Sequence, residues 1–375
     1  MKSKSAIVVG AGILGLATAR ALAIKGFQVK VFERSQFSIG ASIRNFGMLW
    51  PIGQPDGKLY ERAIRTREIW KEYLNSCAIP YNSCGSLHLA YSKEEWDVLD
   101  ELSILFGNGG RPVELLKPRQ IEQKFNGINQ TYLIGGLFSE DEIVINPREC
   151  IHKLPAFLSE KYGVEFFWGT AISKAQSGSV FSSSTRFDAD LIFISSGADF
   201  EVLYPEFFKQ QEITKCKLQM MRFISEEANY EIGTSVCGGL SLLHYKSFTA
   251  SKSLEILKAK IESEFPEYIK LGIHVMVSQN MQGELTVGDS HEYGLDFEPF
   301  DKSYINELIL TYLKRLVHID RWKLIETWNG IYPKMKNGAT DLHVEVQNDV
   351  HILNGIGGNG MTLSFAYAEE IVNKI

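Results

Sequence analysis

Residues 6–34 read AIVVGAGILGLATARALAIKGFQVKVFER, and the pattern of this stretch indicates the first elements of the fold. AIVV is a short apolar run typical of a buried strand, and the residues that follow carry apolar side chains at helical spacing. Gly26 breaks the helix, and FQVKVFE alternates between apolar and polar residues as a second strand does. The stretch therefore predicts a strand–helix–strand unit with parallel strands.

Gly10, Gly12 and Gly15 form a GxGxxG motif between the first predicted strand and the helix. Glycines there permit a tight turn and the close approach of a pyrophosphate, whose charge is favoured by the helix N-terminus. Glu33 ends the second strand, where an acid accepts hydrogen bonds from ribose hydroxyls. The motif predicts a bound dinucleotide and leaves NAD and FAD open. Arg34 could point to NADP, but we interpret it as a solvated surface arginine.

Length and composition limit the class of protein. A chain of 375 residues is too long for one simple core, so two domains are expected. No apolar run reaches the eighteen or so residues that a membrane span needs, and the N-terminus lacks a signal-peptide cleavage pattern. A net charge of −6 argues against a nucleic-acid partner. The five scattered cysteines fit reduced thiols and a cytoplasmic location.

The order of predicted elements indicates an insertion. Short alternating strands such as GSLHLAYS, KLQMMRFIS and GELTVGDS interrupt segments of α/β character. We therefore predict an α/β nucleotide-binding domain that is discontinuous in sequence, formed by residues 1–79, 143–213 and 326–375. A mostly antiparallel α+β substrate domain, inserted into it, takes residues 80–142 and 214–325.

A second glycine-rich loop, LNGIGGNGMTLSFA, occupies residues 353–366. Gly357, Gly358 and Gly360 let the backbone approach a ligand, and a helix is predicted to begin at Met361 and Thr362. Backbone N–H groups at a helix N-terminus stabilise negative charge. Alone, the loop is equally compatible with a plain turn before a terminal helix.

Blocks along nearly the whole chain resemble one known family. VVGAGILGLATARALAIKGFQVKVFER, GASIRNFG, DADLIFISSGA, ETWNGIYPKMKNG and the C-terminal loop are similar to blocks of the FAD-dependent family that includes D-amino-acid oxidase, glycine oxidase and sarcosine oxidase. The resemblance implies a Rossmann-like FAD-binding domain, with the two glycine loops at opposite ends of one FAD. ASIRNFGMLWPIGQP and the strands around GELTVGDSHEYG also resemble a sub-branch linked to aminophosphonate breakdown.

The motifs and the resemblance together predict the cofactor site. Sarcosine oxidases tether the flavin through a cysteine at the position that is Gly330 here, so non-covalent FAD is expected. The sequence predicts no metal site. The predicted cofactor-binding residues are Gly10, Gly12, Gly15, Glu33, Arg34, Ser42, Arg44, Asn45, Phe46, Gly47, Thr170, Ala171, Ser196, Gly197, Gly330, Gly357, Gly358, Asn359, Gly360, Met361 and Thr362.

The substrate site departs from the family pattern. Glycine oxidases read Arg-Pro where this chain has Tyr332-Pro333, so the usual carboxylate-binding arginine is absent from that position. Arg44 is the alternative anion-binding group, with FAD contact or a salt bridge as its other readings. Each lone histidine is more often structural than catalytic. The predicted catalytic residues are Arg44, His244, Tyr245, His291 and Tyr332, with Lys246, His274 and Thr286 as further pocket candidates.

The predicted reaction is FAD-dependent oxidation of a small amine that bears an anionic group, by hydride transfer to the flavin. The amine is an amino acid or resembles 2-aminoethylphosphonate, with or without an N-methyl group, and the electron acceptor is oxygen or another molecule. The alternatives are a dehydrogenase that reduces a quinone or a protein, a glycine- or sarcosine-type oxidase, and a flavin-binding subunit or RNA-modification partner. The oligomeric state stays open.

Overall fold

The computed structural model describes residues 4–375, whose strands and helices alternate along most of the chain. The strands are β1 Ser5–Val9, β2 Gln28–Phe32, β3 Met48–Leu49, β4 Ser86–Ala90, β5 Val113–Leu116, β6 Gly135–Ser139, β7 Ile143–Val144, β8 Glu165–Phe167, β9 Lys174–Gln176, β10 Ser179–Ser182, β11 Thr185–Asp188, β12 Leu191–Ile194, β13 Ile213–Ser225, β14 Ser235–Cys237, β15 Met276–Gln279, β16 Glu284–Gly288, β17 Glu292–Gly294, β18 Trp322–Met335, β19 Leu342–Gln347 and β20 Val350–Asn354. The α-helices are α1 Ile13–Ile24, α2 Lys58–Ser76, α3 Lys93–Asn108, α4 Pro118–Lys124, α5 Pro147–Tyr162, α6 Pro205–Lys209, α7 Gly239–Leu242, α8 Leu254–Glu264, α9 Pro266–Lys270, α10 Ser303–Leu316 and α11 Gly360–Val372.

A six-stranded sheet in the order β19-β20-β12-β1-β2-β8 forms the first layer. The strands from β20 to β8 are parallel, and β19 adds an antiparallel edge. Alternate residues of β1 serve two cores, because side chains along a strand point to opposite faces. Ala6 and Val8 pack with α1, α2, α5 and α11, whereas Ile7 and Val9 pack on the other face. This is the Rossmann-like core that the sequence predicts.

The second layer is a larger sheet in the order β17-β13-β16-β15-β14-β4-β6-β5, and β18 also pairs with β13. Its neighbouring strands are antiparallel except for β14 and β4. A core that includes side chains of α3, α8 and α10 packs against it. The mixed α/β fold with an inserted, mostly antiparallel sheet is confirmed.

The strands of the six-stranded sheet all fall within residues 1–79, 143–213 and 326–375. Most strands of the larger sheet fall within residues 80–142 and 214–325, although β18 extends to Met335. We therefore propose the division into an FAD-binding domain and a substrate domain, with β18 reaching from one to the other.

One strand ends earlier than the sequence indicates. The strand expected to run to Thr170 and Ala171 is β8, which stops at Phe167. Gly169 has a φ of +63°, a left-handed conformation that an extended strand does not accommodate. The turn brings the N–H of Thr170 to the carbonyl of Glu33, at 2.9 Å. Thr170 and Ala171 therefore lie in a loop beside the end of β2. No helix within residues 4–375 is both long enough and apolar enough to cross a bilayer.

Glu142 is a fully buried acid whose ionisation opposes folding. Its carboxylate accepts hydrogen bonds from the Ile52 N–H at 2.8 Å and the Ser86 hydroxyl at 3.0 Å. Burial nevertheless raises its pKa from the ordinary 4.5 to about 7. Because the pKa is higher in the folded protein, folding favours the protonated carboxyl. This contribution to the free energy of unfolding is fully present below pH 4.5 and is lost as the pH rises through 7.

We therefore expect Glu142→Gln to gain stability relative to the wild type as the pH rises. The difference in free energy of unfolding between the two proteins should shift by about 2–3 kcal/mol in favour of the variant between pH 5 and pH 8. Urea unfolding with saturating FAD at both pH values measures it. The same difference at pH 5 and pH 8 would contradict the prediction.

Candidate active site

One continuous cavity of about 960 Å³ runs from the carboxyl ends of the parallel strands to the face of the larger sheet. Ligands of open α/β sheets bind at these strand ends. Gly10 follows β1, Glu33 follows β2, and Ser196 follows β12, and all three line the cavity. Its other end is lined by residues of β13, β15 and β18. The cavity therefore joins the predicted nucleotide site to the predicted substrate site.

The first glycine loop leaves free donors at the start of α1. The Ser42 hydroxyl accepts the N–H of Ile13 at 2.9 Å. Nothing among residues 4–375 accepts the N–H of Gly12 or Leu14. Gly10 has a φ of +103°, and a Cβ on it would lie 2.3 Å from the Ser195 carbonyl oxygen. A glycine is required there, and the free N–H groups suit the oxygens of a pyrophosphate.

The end of β2 forms the side of the cavity where the sequence predicts the adenosine. The Glu33 carboxylate accepts the N–H groups of Ala11 and Ser35, both at 3.0 Å. Thr170, Ala171, Ser196 and Gly197 line the cavity beside it, as the sequence predicts. Arg34 lies at the same rim, where its guanidinium pairs with the Asp199 carboxylate at 2.6 Å. This ion pair agrees with a surface arginine and gives no support for a 2′-phosphate site.

The second glycine loop reaches the same cavity from the C-terminal side. Gly357 has a φ of +63°, and a Cβ on Gly358 would lie 3.6 Å from the Tyr332 hydroxyl. Helix α11 begins at Gly360, one residue before the predicted start. The Thr362 hydroxyl accepts the N–H of Trp50 at 3.0 Å. The predicted residues of this loop that line the cavity are Gly357, Gly358, Asn359, Gly360, Met361 and Thr362.

The segment GASIRNFG crosses between the two loops. Ser42, Arg44, Asn45 and Phe46 line the cavity, but Gly47 does not. Gly47 has a φ of +73°, and a Cβ on it would lie 2.1 Å from the carbonyl oxygen of Ile145. Gly47 is therefore needed for close packing of two backbone segments, rather than for a surface of the cavity.

Comparison with known proteins agrees with this geometry. The model of the DAO family, described as FAD dependent oxidoreductase, matches residues 5–374. This chain belongs to the DAO family of FAD-dependent oxidoreductases. Its fold is similar to glycine oxidase from Geobacillus kaustophilus, with a TM-score of 0.79, 18% identity, and coverage of 99% of this chain and 95% of that one. L-proline dehydrogenase from P. horikoshii gives a TM-score of 0.79, 17% identity, and coverage of 99% and 92%.

Sequence relatives match over shorter stretches. The tRNA 5-methylaminomethyl-2-thiouridine biosynthesis bifunctional protein MnmC of Chromobacterium violaceum is 29% identical over 158 residues, which is 41% of this chain and 23% of that protein. The chain thus spans about a quarter of this curated relative. Family membership makes the protein an FAD-dependent oxidoreductase, and the free N–H groups, the Glu33 carboxylate and the long cavity fit FAD.

The substrate half of this DAO-family site contains three neighbouring histidines. The ring centroids of His244 and His274 lie 3.8 Å apart, and His291 lies 4.7 Å from the first and 4.9 Å from the second. The rings are inclined by only 18–34°. One ring nitrogen of each histidine lies within 4.8 Å of the others, but an ion at about 2.0–2.1 Å lies in the plane of each imidazole that binds it, and nearly parallel rings do not converge on one ion. The absence of a metal site stays a prediction.

Asp289 and Lys334 line the cavity but were not among the residues predicted from the sequence. Asp289 is buried, and its Oδ1 lies 3.0 Å from Nε2 of His274, while burial raises the pKa of its carboxyl well above the ordinary range. Lys334 is half-buried, and burial lowers the pKa of its ammonium. Their spacing from predicted site residues could have identified both in the sequence. Asp289 is two residues before His291, and Lys334 is two residues after Tyr332 on the same face of β18.

The other predicted residues take varied positions. Tyr245, Gly330 and Tyr332 line the cavity, and a Cβ on Gly330 would lie 3.1 Å from the Arg44 carbonyl oxygen. Lys246 lies at the rim, where its ammonium donates to the Gly338 carbonyl. Thr286 does not line the cavity; it is buried in β16, where it lies between Arg222 of β13 and Ser278 of β15.

Proposed function

We propose that the protein oxidises a small amine that bears an anionic group. The observation that carries this proposal is a set of unpaired cations. Two cations at the cavity have acidic partners, because Lys215 pairs with Glu201 and Arg34 pairs with Asp199. Within residues 4–375, no carboxylate lies within 4.0 Å of the charged nitrogens of Arg44, Lys246 or Lys334, all of which line the cavity.

An anion bound in the cavity would pair with these cations and neutralise their charge. Among the residues that the structure describes, the Arg44 guanidinium donates only to the carbonyl of Asn329, at 3.2 Å, and the Lys334 ammonium donates only to the Tyr293 hydroxyl, at 2.9 Å. A cation that is partly removed from water without an opposing charge is unfavourable, so a substrate anion gains from both. We assign Lys334 and Arg44 to the substrate anion, and Lys246 to its entrance.

FAD supplies the redox chemistry, because a bound flavin accepts a hydride equivalent from the carbon beside the amine nitrogen. We propose that the two glycine loops, Glu33 and the segment around Ser42 hold FAD. The cavity lining contains no cysteine, and the neighbouring Cys216 is buried, which raises the pKa of its thiol to about 12. A thiolate tether is therefore not expected, and we propose non-covalent FAD.

Similar proteins support an amine without identifying it. The solved structures that share this fold include a glycine oxidase, an iminodiacetate oxidase and an L-proline dehydrogenase. Both carboxylate-bearing and phosphonate-bearing amines suit the unpaired cations. The narrower resemblance to aminophosphonate breakdown therefore stays a prediction, as does the choice between oxygen and another acceptor. The five cysteines are all free, which supports a reducing, cytoplasmic location.

We expect one class of amine to bleach the flavin absorbance in the absence of oxygen. The panel contains glycine, sarcosine, D-amino acids, 2-aminoethylphosphonate and its N-methyl form, with ethylamine as the control without an anion. Bleaching by an anion-bearing amine at least 100-fold faster than by ethylamine at equal concentration would support the proposal. Equal bleaching by ethylamine, or none by any amine, would contradict it. Admission of air then shows whether oxygen reoxidises the flavin.

A further inference from the structure

Asp289 and His291 form a pair of acceptors that face each other. The Nδ1 of His291 lies 2.8 Å from the carbonyl oxygen of Gly272. A carbonyl only accepts, so Nδ1 carries the ring proton and Nε2 of the neutral ring carries a lone pair. This Nε2 lies 4.0 Å from Oδ2 of Asp289. Both residues line the cavity, and within residues 4–375 no other residue donates a hydrogen bond to either atom.

The separation of these two acceptors suits an ammonium group. A nitrogen placed about 2.7–3.2 Å from each of two atoms 4.0 Å apart can donate a hydrogen bond to both. The positions are fixed by the backbone. His274 and Asp289 exchange N–H···O bonds of 3.2 Å, and the N–H of His291 donates to Leu271 at 2.9 Å. The pair is therefore held in place before any substrate enters.

We propose that the substrate ammonium binds between His291 Nε2 and Asp289 Oδ2 and gives its proton to Asp289. This inference rests on the proposed function. An N–H bond of the ammonium breaks, its electron pair stays on nitrogen, and the proton forms an O–H bond with Oδ2. The neutral amine that results has the lone pair needed to become an imine when the hydride leaves its α-carbon.

The surroundings explain why Asp289, rather than His291, takes the proton. Burial lowers the pKa of His291 to about 4, so the ring stays neutral, while burial raises the pKa of Asp289. Nε2 of His274 lies 3.0 Å from Oδ1 of Asp289 and packs against the carboxyl, so we propose His274 as the positioning residue. The titratable groups around Asp289 are His244, His274, His291, Lys334, Tyr245, Tyr293, Tyr332 and Cys216.

The test uses the holoenzyme and the amine that bleaches the flavin fastest. The wild-type rate of anaerobic bleaching should fall tenfold per pH unit below the pKa of Asp289 and level off above it. In Asp289→Asn the rate should climb tenfold per pH unit up to the pKa of the free amine, because only molecules that are already neutral react. At a pH on the wild-type plateau and two units below the pKa of the free amine, it should be about 100-fold below the wild type. Glu142→Gln makes the same chemical change at a buried acid outside the cavity, so its profile should match the wild type.

Ligand binding gives a second readout that needs no turnover. α-Aminoisobutyrate carries an ammonium but no α-hydrogen, and pivalate replaces that ammonium by a methyl group. Titrations of the flavin absorbance should show that Asp289→Asn weakens α-aminoisobutyrate at least tenfold more than pivalate. A wild-type pH profile in Asp289→Asn, or equal weakening of both ligands, would overturn the proposal.

If Asp289→Asn does not fold or does not bind FAD, a third variant, His291→Asn, tests the same proposal. His291→Asn should lose preference for α-aminoisobutyrate over pivalate, and an unchanged preference would overturn the proposal. Different results would contradict the proposed function and the role of Asp289. If no amine bleaches the wild-type flavin, the proposed function is wrong, whereas bleaching that does not depend on Asp289 contradicts only the proton acceptor.

Discussion

Purified Gly15→Ala protein is expected to be colourless, with less than a tenth of the wild-type FAD content. A Cβ on Gly15 would lie 1.9 Å from the carbonyl oxygen of Gly10, which is backbone and cannot rotate away. Relief requires more than about 1 Å of movement between α1 and the loop, and overpacking of this kind costs about 1–3 kcal/mol or more. The free N–H groups at Gly12 and Leu14 move with the helix, so the pyrophosphate loses its donors.

Gly107→Ala is the matched control, because it adds the same methyl group in α3, where within residues 4–375 the new Cβ would meet no atom within 4 Å apart from the backbone of its own helix and its chain neighbours. It should keep the full FAD content and gain up to about 1 kcal/mol of stability, since alanine favours helix over glycine. The flavin absorbance of the purified proteins measures FAD content, and circular dichroism checks that both are folded. Equimolar FAD in Gly15→Ala would show that the loop tolerates the methyl group and would contradict the prediction.

Lys334→Met is expected to weaken binding of the anionic amine about 100-fold, while FAD stays bound. Methionine keeps a chain of similar length but removes the ammonium that we assign to the substrate anion. Loss of one charge-assisted hydrogen bond in a partly buried site costs about 2–3 kcal/mol, which corresponds to this factor. The dissociation constant comes from the dependence of anaerobic bleaching on amine concentration.

Lys336→Met is its control. Lys336 lies two residues further along the chain, outside the cavity lining, and its ammonium is 3.8 Å from the exposed Glu212 carboxylate. A change of less than twofold is expected there, because exposed ion pairs contribute little. Wild-type affinity in Lys334→Met would contradict the prediction. A loss confined to Arg44→Met would then assign the anion to Arg44.

Nearly all the residues that the sequence predicts for the cofactor line one cavity. The sequence motifs are local, because a glycine loop, the helix that follows and the acid at the next strand end are all specified within about thirty residues. Gly47 was assigned to the cofactor from its motif, but a glycine is required there because the Ile145 carbonyl, about a hundred residues away, packs against it. The early end of β8 has a similar origin, in the left-handed turn at Gly169.

The substrate half was only partly predictable. The sequence selected His244, His291 and Tyr332, but it passed over Asp289 and Lys334, which carry the acid–base and anion-binding proposals. A lone aspartate after a strand and a lone lysine after a proline are common in any chain. They gain meaning only when β16, β18 and the loop before β15 bring them to one wall of the cavity.

The family, the parallel sheet and the FAD cofactor could be predicted from the sequence, because adjacent residues create the glycine loops through backbone geometry and helix N-termini. Which side chains share the substrate cavity, which cations lack an acidic partner and which acceptors lie 4.0 Å apart became evident from the tertiary structure alone. The physical reason is that these properties depend on distances and burial between segments far apart in the chain, which the spacing of residues along it does not encode.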